Sequence, residues 1–155
     1  MPSCDRTHWT LGMAQEGLGD LDAAIHTFET GLALTNGSSL LLTQVGRACA
    51  SAGDHDRARQ ILSELERRGE QAGPAAYFAA EILAALGDVD AAIDALYASY
   101  RQRNPMMIFA GVLYGLDPLR EQRRFRELLM RMGIRVHERD STLTRATASA
   151  RNQTG

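Results

Sequence analysis

The chain has 155 residues, 45% of them hydrophobic and 6% aromatic, with a formal net charge of −2. That is enough apolar matter for one domain with an aliphatic, alanine-rich core. It excludes two classes: no apolar run approaches the ~20 residues of a membrane-crossing helix, and two cysteines, Cys4 and Cys49, without a CxxC make neither a disulfide framework nor a zinc site.

Residues 1–4 are expected to be a flexible N-terminus. After them, apolar residues recur at helical spacing. Leu11, Ala14 and Leu18 mark a first helix, and Ala24, Ile25, Phe28, Leu32 and Ala33 mark a second. Gly17, Gly19 and Asp20 make the turn between them, with glycine ending one helix and aspartate capping the next. The Gly-Asp pair returns as Gly53-Asp54 and Gly87-Asp88, each 34 residues after the last. Asp22, Asp56 and Asp90 follow in the first turn of each second helix, where the helix dipole favours negative charge. A repeat without insertions means one helix-pair unit, copied and stacked. The units span about 5–38, 39–72 and 73–106. Gly12, Gly46 and Ala80 are expected where the two helices of a unit approach closely, facing Ala24, Ala58 and Ala92. Cys49 falls at a buried helical position and behaves as a small hydrophobe.

A fourth, shorter unit, 107–133, reads as a capping helix pair. Met106 to Ala110 form an apolar helix that Gly115 breaks. Asp117-Pro118 reads as an N-cap followed by proline at the first helical position. Leu119, Phe125, Leu128, Leu129 and Met132 give the last helix its apolar stripe, and Gly133 stops it. Arg120, Glu121, Arg123, Arg124 and Glu127 supply a polar outer face. From 134 to 155 the chain turns Ser/Thr/Arg-rich and is expected to be a disordered tail. Seven or eight helices are predicted from about Trp9 to Met132, with no strand.

Charge is unevenly spread. Residues 1–106 hold 8 arginines against 14 acids, and residues 107–155 hold 9 against 5. All 17 basic residues are arginine. No nucleic-acid partner is expected, because residues 117–139 reach only +3 (7 arginines, 4 acids). The start of the chain lacks a basic region and an apolar stretch of a signal peptide, so a cytoplasmic location is expected. His8, His26, His55 and His137 are scattered, without ligand spacing. No phosphate loop or nucleophile motif occurs. Catalytic residues, cofactor and metal are therefore expected to be absent.

The phrases His8-x2-Leu11-Gly12-x2-Gln15 with Ala24-x3-Phe28, Leu42-x2-Val45-Gly46-x2-Cys49 with Ala58-x3-Leu62, and Ala76-x2-Ala79-Ala80-x2-Leu83 with Ala92-x3-Leu96 resemble the tetratricopeptide repeat. The resemblance covers about residues 5–106. It implies an all-α solenoid of antiparallel helix pairs in a right-handed superhelix, whose first helices line a concave face. The equivalent positions there are Trp9, Met13 and Glu16; Thr43, Arg47 and Ala50; Tyr77, Glu81 and Ala84. The implied function is a non-catalytic scaffold that binds a protein or peptide in this groove. Trp9, Met13, Glu16, Thr43, Arg47, Tyr77 and Glu81 are the candidate contacts, with Arg47 central and suited to an acidic group. Leu116-Asp117-Pro118-Leu119-Arg120, Arg124-Phe125 and Leu128 to Gly133 are similar to the closing segment of helical-repeat regions in bacterial transcriptional regulators, adenylate cyclases and serine/threonine kinases. That similarity implies an alternative, a regulatory or sensor module of a signalling protein.

Overall fold

A computed structural model describes residues 3–68 and 74–134. The expected tail lies, apart from Ile134, outside the described residues, as do Met1 and Pro2 of the expected flexible start. Among the described residues the chain is helical throughout. The elements are α1 (Ser3–Gly17), α2 (Leu21–Leu34), α3 (Ser39–Ser51), α4 (His55–Arg67), α5 (Pro74–Ala85), α6 (Val89–Arg101), two 3-10 helices, η1 (Pro105–Phe109) and η2 (Tyr114–Leu119), and α7 (Arg123–Arg131). The pairs α1–α2, α3–α4 and α5–α6 stack in order, with α3 packed on both α1 and α5.

Each unit turns by the same device. Asp20, Asp54 and Asp88 accept a side-chain hydrogen bond from the backbone N–H of Ala23, Arg57 and Ala91. Gly19, Gly53 and Gly87 sit at φ of +85°, +89° and +82°, a region only glycine occupies without strain. The backbone N–H of each aspartate reaches back to Gln15, Cys49 or Leu83, closing the preceding helix.

The core divides into two linked clusters. One joins Ala24, Phe28, Leu41, Val45, Cys49, Ala58 and Leu65 across α2, α3 and α4, with Ile82 reaching in from α5. The other joins Tyr77, Ile93 and Leu96 to Leu116, Leu119, Phe125, Leu128 and Leu129. Small residues sit at close helix approaches. A Cβ at Gly12 would stand 2.3 Å from the Phe28 ring of the paired helix, while one at Gly46 would stand 3.0 Å from Ile61 of the paired α4 and closer still, 2.8 Å, to Ile82 of the next unit. The Gly12 contact rotates α1 away from its anticipated face: Gly12 is turned inward, so Leu11 is 50% and Leu18 86% exposed.

The end of the array differs from the expected helix pair. Two 3-10 helices, 105–109 and 114–119, joined by a turn with an extended Leu113, take the place of the first helix, and α7 starts only at Arg123, with Gln122 as its cap. The cause lies in spacing. Met107, Ala110, Leu116 and Leu119 are buried and Leu113 is half-buried, three residues apart in sequence. A 3-10 helix aligns residues i and i+3, so this stretch lays one apolar edge on α5 and α6. Asp117-Pro118 sits inside η2 rather than at the start of α7. Arg120 donates to the Asp117 carboxylate at 2.5 Å and to the Gly111 carbonyl at 3.0 Å, fixing the bend. Then α7 buries Phe125, Leu128 and Leu129 on α6 and ends at Gly133 (φ +71°).

Two stability measurements test this account. Asp54→Ala removes a cap and is expected to cost about 1 kcal/mol, whereas Asp56→Ala, whose side chain touches only exposed Arg59, is expected to cost under ~0.5 kcal/mol by urea denaturation. Phe125→Ala is expected to cost ~3–5 kcal/mol, and a chain ending at Gly115 to aggregate, because both uncover the apolar side of α5 and α6. Equal losses for the two aspartates, or a soluble and cooperative short chain, would contradict it.

Candidate functional site

Glu16 of α1, Arg47 of α3 and Glu81 of α5 lie together, and the segment 105–119 folds against them. Arg47, on α3, is 3% exposed and lies at the centre. Its guanidinium meets Glu16 of α1 end-on, with Nη1 to Oε1 at 2.5 Å and Nη2 to Oε2 at 2.6 Å. Nη2 also donates to Gln44 Oε1 at 2.8 Å and to the Tyr114 hydroxyl at 2.6 Å, and Nε donates to Gln44 at 3.2 Å. The Tyr114 hydroxyl donates in turn to Glu16 at 2.6 Å. The guanidinium carbon lies 4.4 Å from the centre of the Tyr114 ring.

Glu81 of α5 stands beside this group, also 3% exposed, with Oε2 3.9 Å from Arg47 Nε. It accepts one long hydrogen bond, from Gln44 Nε2 at 3.5 Å. The backbone of η2 approaches so closely that a Cβ on Gly115 would fall 2.8 Å from Glu81 Oε2 and 3.1 Å from Arg47 Cδ. Any larger residue there would have to push the Glu81 carboxylate aside.

The electrostatics follow from burial. Burial holds the Glu81 carboxyl above the ordinary glutamate range, although Arg47 and Gln44 pull it down. Burial works against the charge of Arg47, but the hydrogen bonds and charge of Glu16 outweigh it and raise the guanidinium further. Burial likewise raises the Tyr114 and Tyr77 phenols. One base and two acids share the site, and Glu16 takes both ends of the base.

Above this network a recess of about 130 Å³ opens between the repeats and the returning segment. Trp9, Met13, Leu40, Gln44 and Glu81 of the repeats line it together with Met106, Phe109, Leu113, Tyr114 and Gly115 of the returning segment. Trp9, Met13 and Glu81 of the expected set therefore reach the recess, and Glu16 and Arg47 lie in the network under it. Thr43 and Tyr77 are wholly buried. The Thr43 hydroxyl donates to the Ser39 carbonyl at 2.7 Å, and the Tyr77 ring packs edge-on against Phe78. The aromatic partner of Arg47 is Tyr114, which repeat equivalence does not identify. The three-residue apolar spacing around it signals only that the segment packs back on the repeats. Among the described residues, no three His, Cys, Asp or Glu side chains gather as metal ligands.

A pH series tests the Glu81 assignment. A carboxyl with a raised pKa holds more protons folded than unfolded, so its burial costs nothing below the ordinary glutamate pKa. The cost grows as pH rises from there through the folded value. In urea denaturation from about pH 4 to 8, Glu81→Gln is expected to gain on the parent chain as pH rises. A difference that does not change with pH would show that Glu81 folds ionised without penalty.

Two family models match the chain. Both describe the tetratricopeptide repeat; one matches residues 5–37 and the other residues 44–64 and 73–96. No curated protein and no solved structure matches it. The matched residues make up half of the chain and coincide with the three helix pairs. The chain belongs to the tetratricopeptide-repeat family, whose repeats generally serve as protein–protein interaction modules.

Proposed function

We propose that the chain is a non-catalytic interaction scaffold that seats a side chain of a protein partner in the recess between the repeats and residues 105–115. One observation carries this reading. Ile108, Phe109 and Val112 are 68%, 42% and 67% exposed, and Phe109 also lines the recess. An apolar patch continuous with a concavity is the usual form of a docking surface, a buried anchor within a wider contact. The recess also bears on partner chemistry. Arg47 already donates to Glu16, Gln44 and Tyr114 and is paired by the Glu16 carboxylate, so an acidic group would compete with Glu16 for it.

The second reading, a regulatory module of a bacterial signalling or transcription-regulating protein, draws on the resemblance of residues 116–133. The observation that favours it is Tyr114 itself, which holds the groove centre in cis.

Photo-cross-linking tests the docking surface. A photoreactive residue replacing Val112 is expected to capture a discrete partner in cells, and the adduct is expected to vanish with Phe109→Glu. The same residue replacing Leu18, exposed but outside the recess, is expected to give no such adduct. Identical adducts from both positions, or none from Val112, would refute the surface.

A further inference from the structure

We propose that the side chain seated in the recess is a lysine, its ammonium group paired with Glu81 and enclosed by Trp9, Phe109 and the thioethers of Met13 and Met106. The proposal rests on the docking surface above and adds the chemistry of the anchor. Three independent observations support it.

The first is charge. Glu16 neutralises Arg47 through two short contacts, whereas Glu81 has only a 3.9 Å approach to Nε and a 3.5 Å amide contact. The lining of the recess therefore carries a carboxylate whose contacts, among the described residues, are the 3.9 Å approach of Arg47 and one long amide hydrogen bond. A buried carboxyl in that position takes either a proton or a cation. Burial raises the Glu81 carboxyl, although Arg47 and Gln44 pull it down. An ammonium group entering the recess would meet this carboxyl and pair with it.

The second is the wall. Aromatic rings attract ammonium groups through their negative faces, and tryptophan does so best. Methionine sulfur adds a soft, polarisable contact. Trp9, Phe109, Met13 and Met106 all line a volume of about 130 Å³, room for the end of a lysine and its last methylenes. A carboxylate anchor would instead meet Glu81.

The third is the composition of the chain. These 155 residues contain no lysine, so the anchor would come from outside them. Residues 1–106 carry 14 acids against 8 arginines, which favours approach by a cationic segment.

Trp9 is the only tryptophan, so its emission reports occupancy directly. Three short peptides that differ at one position are titrated against the full chain: lysine, norleucine and glutamate, each flanked by alanine and leucine. The lysine peptide is expected to shift Trp9 emission saturably, at least ~10-fold more tightly than norleucine, with no response to glutamate. Glu81→Gln is expected to make lysine and norleucine equal. Phe109→Leu, at a half-exposed position, is expected to weaken lysine several-fold while sparing norleucine, and it keeps the proposal testable if the Glu81 variant fails to fold. Norleucine binding as tightly as lysine would overturn the ammonium assignment and leave the docking surface standing. Butylammonium chloride binding as tightly as the lysine peptide would make this a small-molecule site and overturn the partner source. No response to any probe would overturn the proposal, and the fate of the docking surface would then be read from the Val112 cross-link.

Discussion

The buried guanidinium of Arg47 is the constraint around which the concave side is built. A charge removed from water costs several kcal/mol unless paired and hydrogen-bonded on every side. Here the partners come from four elements: Glu16 from α1, Gln44 from α3 itself, Glu81 from α5 and Tyr114 from η2. Each first helix is thereby tied to the next, and the end of the chain is tied to the middle. Arg47 and Glu81 occupy equivalent positions 34 residues apart, so stacking the units is what brings them together. The unit before them has Met13 at that position, and its ion partner, Glu16, comes from one turn further along α1.

The repeat geometry was legible because it rests on local chemistry. Glycine followed by aspartate specifies a left-handed stop and a cap within five residues, and the same instruction occurs three times. Gly12 and Gly46 likewise announce close helix contacts. The face of α1 was less legible. Leu11 and Leu18 fit an apolar stripe, but the Gly12–Phe28 contact sets the rotation of the helix and points them outward. A missing side chain decided the packing, and a search for apolar side chains does not see it.

The candidate site was half legible for a related reason. Equivalence between units finds Trp9, Met13, Glu16, Arg47 and Glu81, because it compares positions within the periodic part. Tyr114 lies beyond that part and meets Glu16 across 98 residues of sequence. Nothing local encodes such a contact. What is encoded is the spacing of Met107, Ala110, Leu113, Leu116 and Leu119, which has period three rather than the 3.6 of an α-helix. The Asp117-Pro118 pair reinforced the wrong period, since it also reads as the start of an α-helix.

That period-three edge explains why polar groups are buried at its contact with the repeats. An apolar row repeating every three residues can slide by one step and still bury leucine on leucine, so its packing alone does not select a register. The Tyr114 hydroxyl bonds Arg47 and Glu16 in one register only. A slip of three residues would carry Val112 to the place of Gly115, where a Cβ already meets Glu81 at 2.8 Å. A slip of four would bring Gly111 there but set Ala110 in place of Tyr114, losing the hydroxyl. Buried ion networks often add little net stability over apolar replacements, and their best-attested use is to fix register. Here the fixed register also shapes the recess. It keeps Phe109, Leu113, Trp9 and Glu81 together around the recess. The same contact that excludes other packings of the chain thus leaves at the recess a carboxylate held only by a 3.9 Å approach to Arg47 and a long amide hydrogen bond, which the proposed partner would complete.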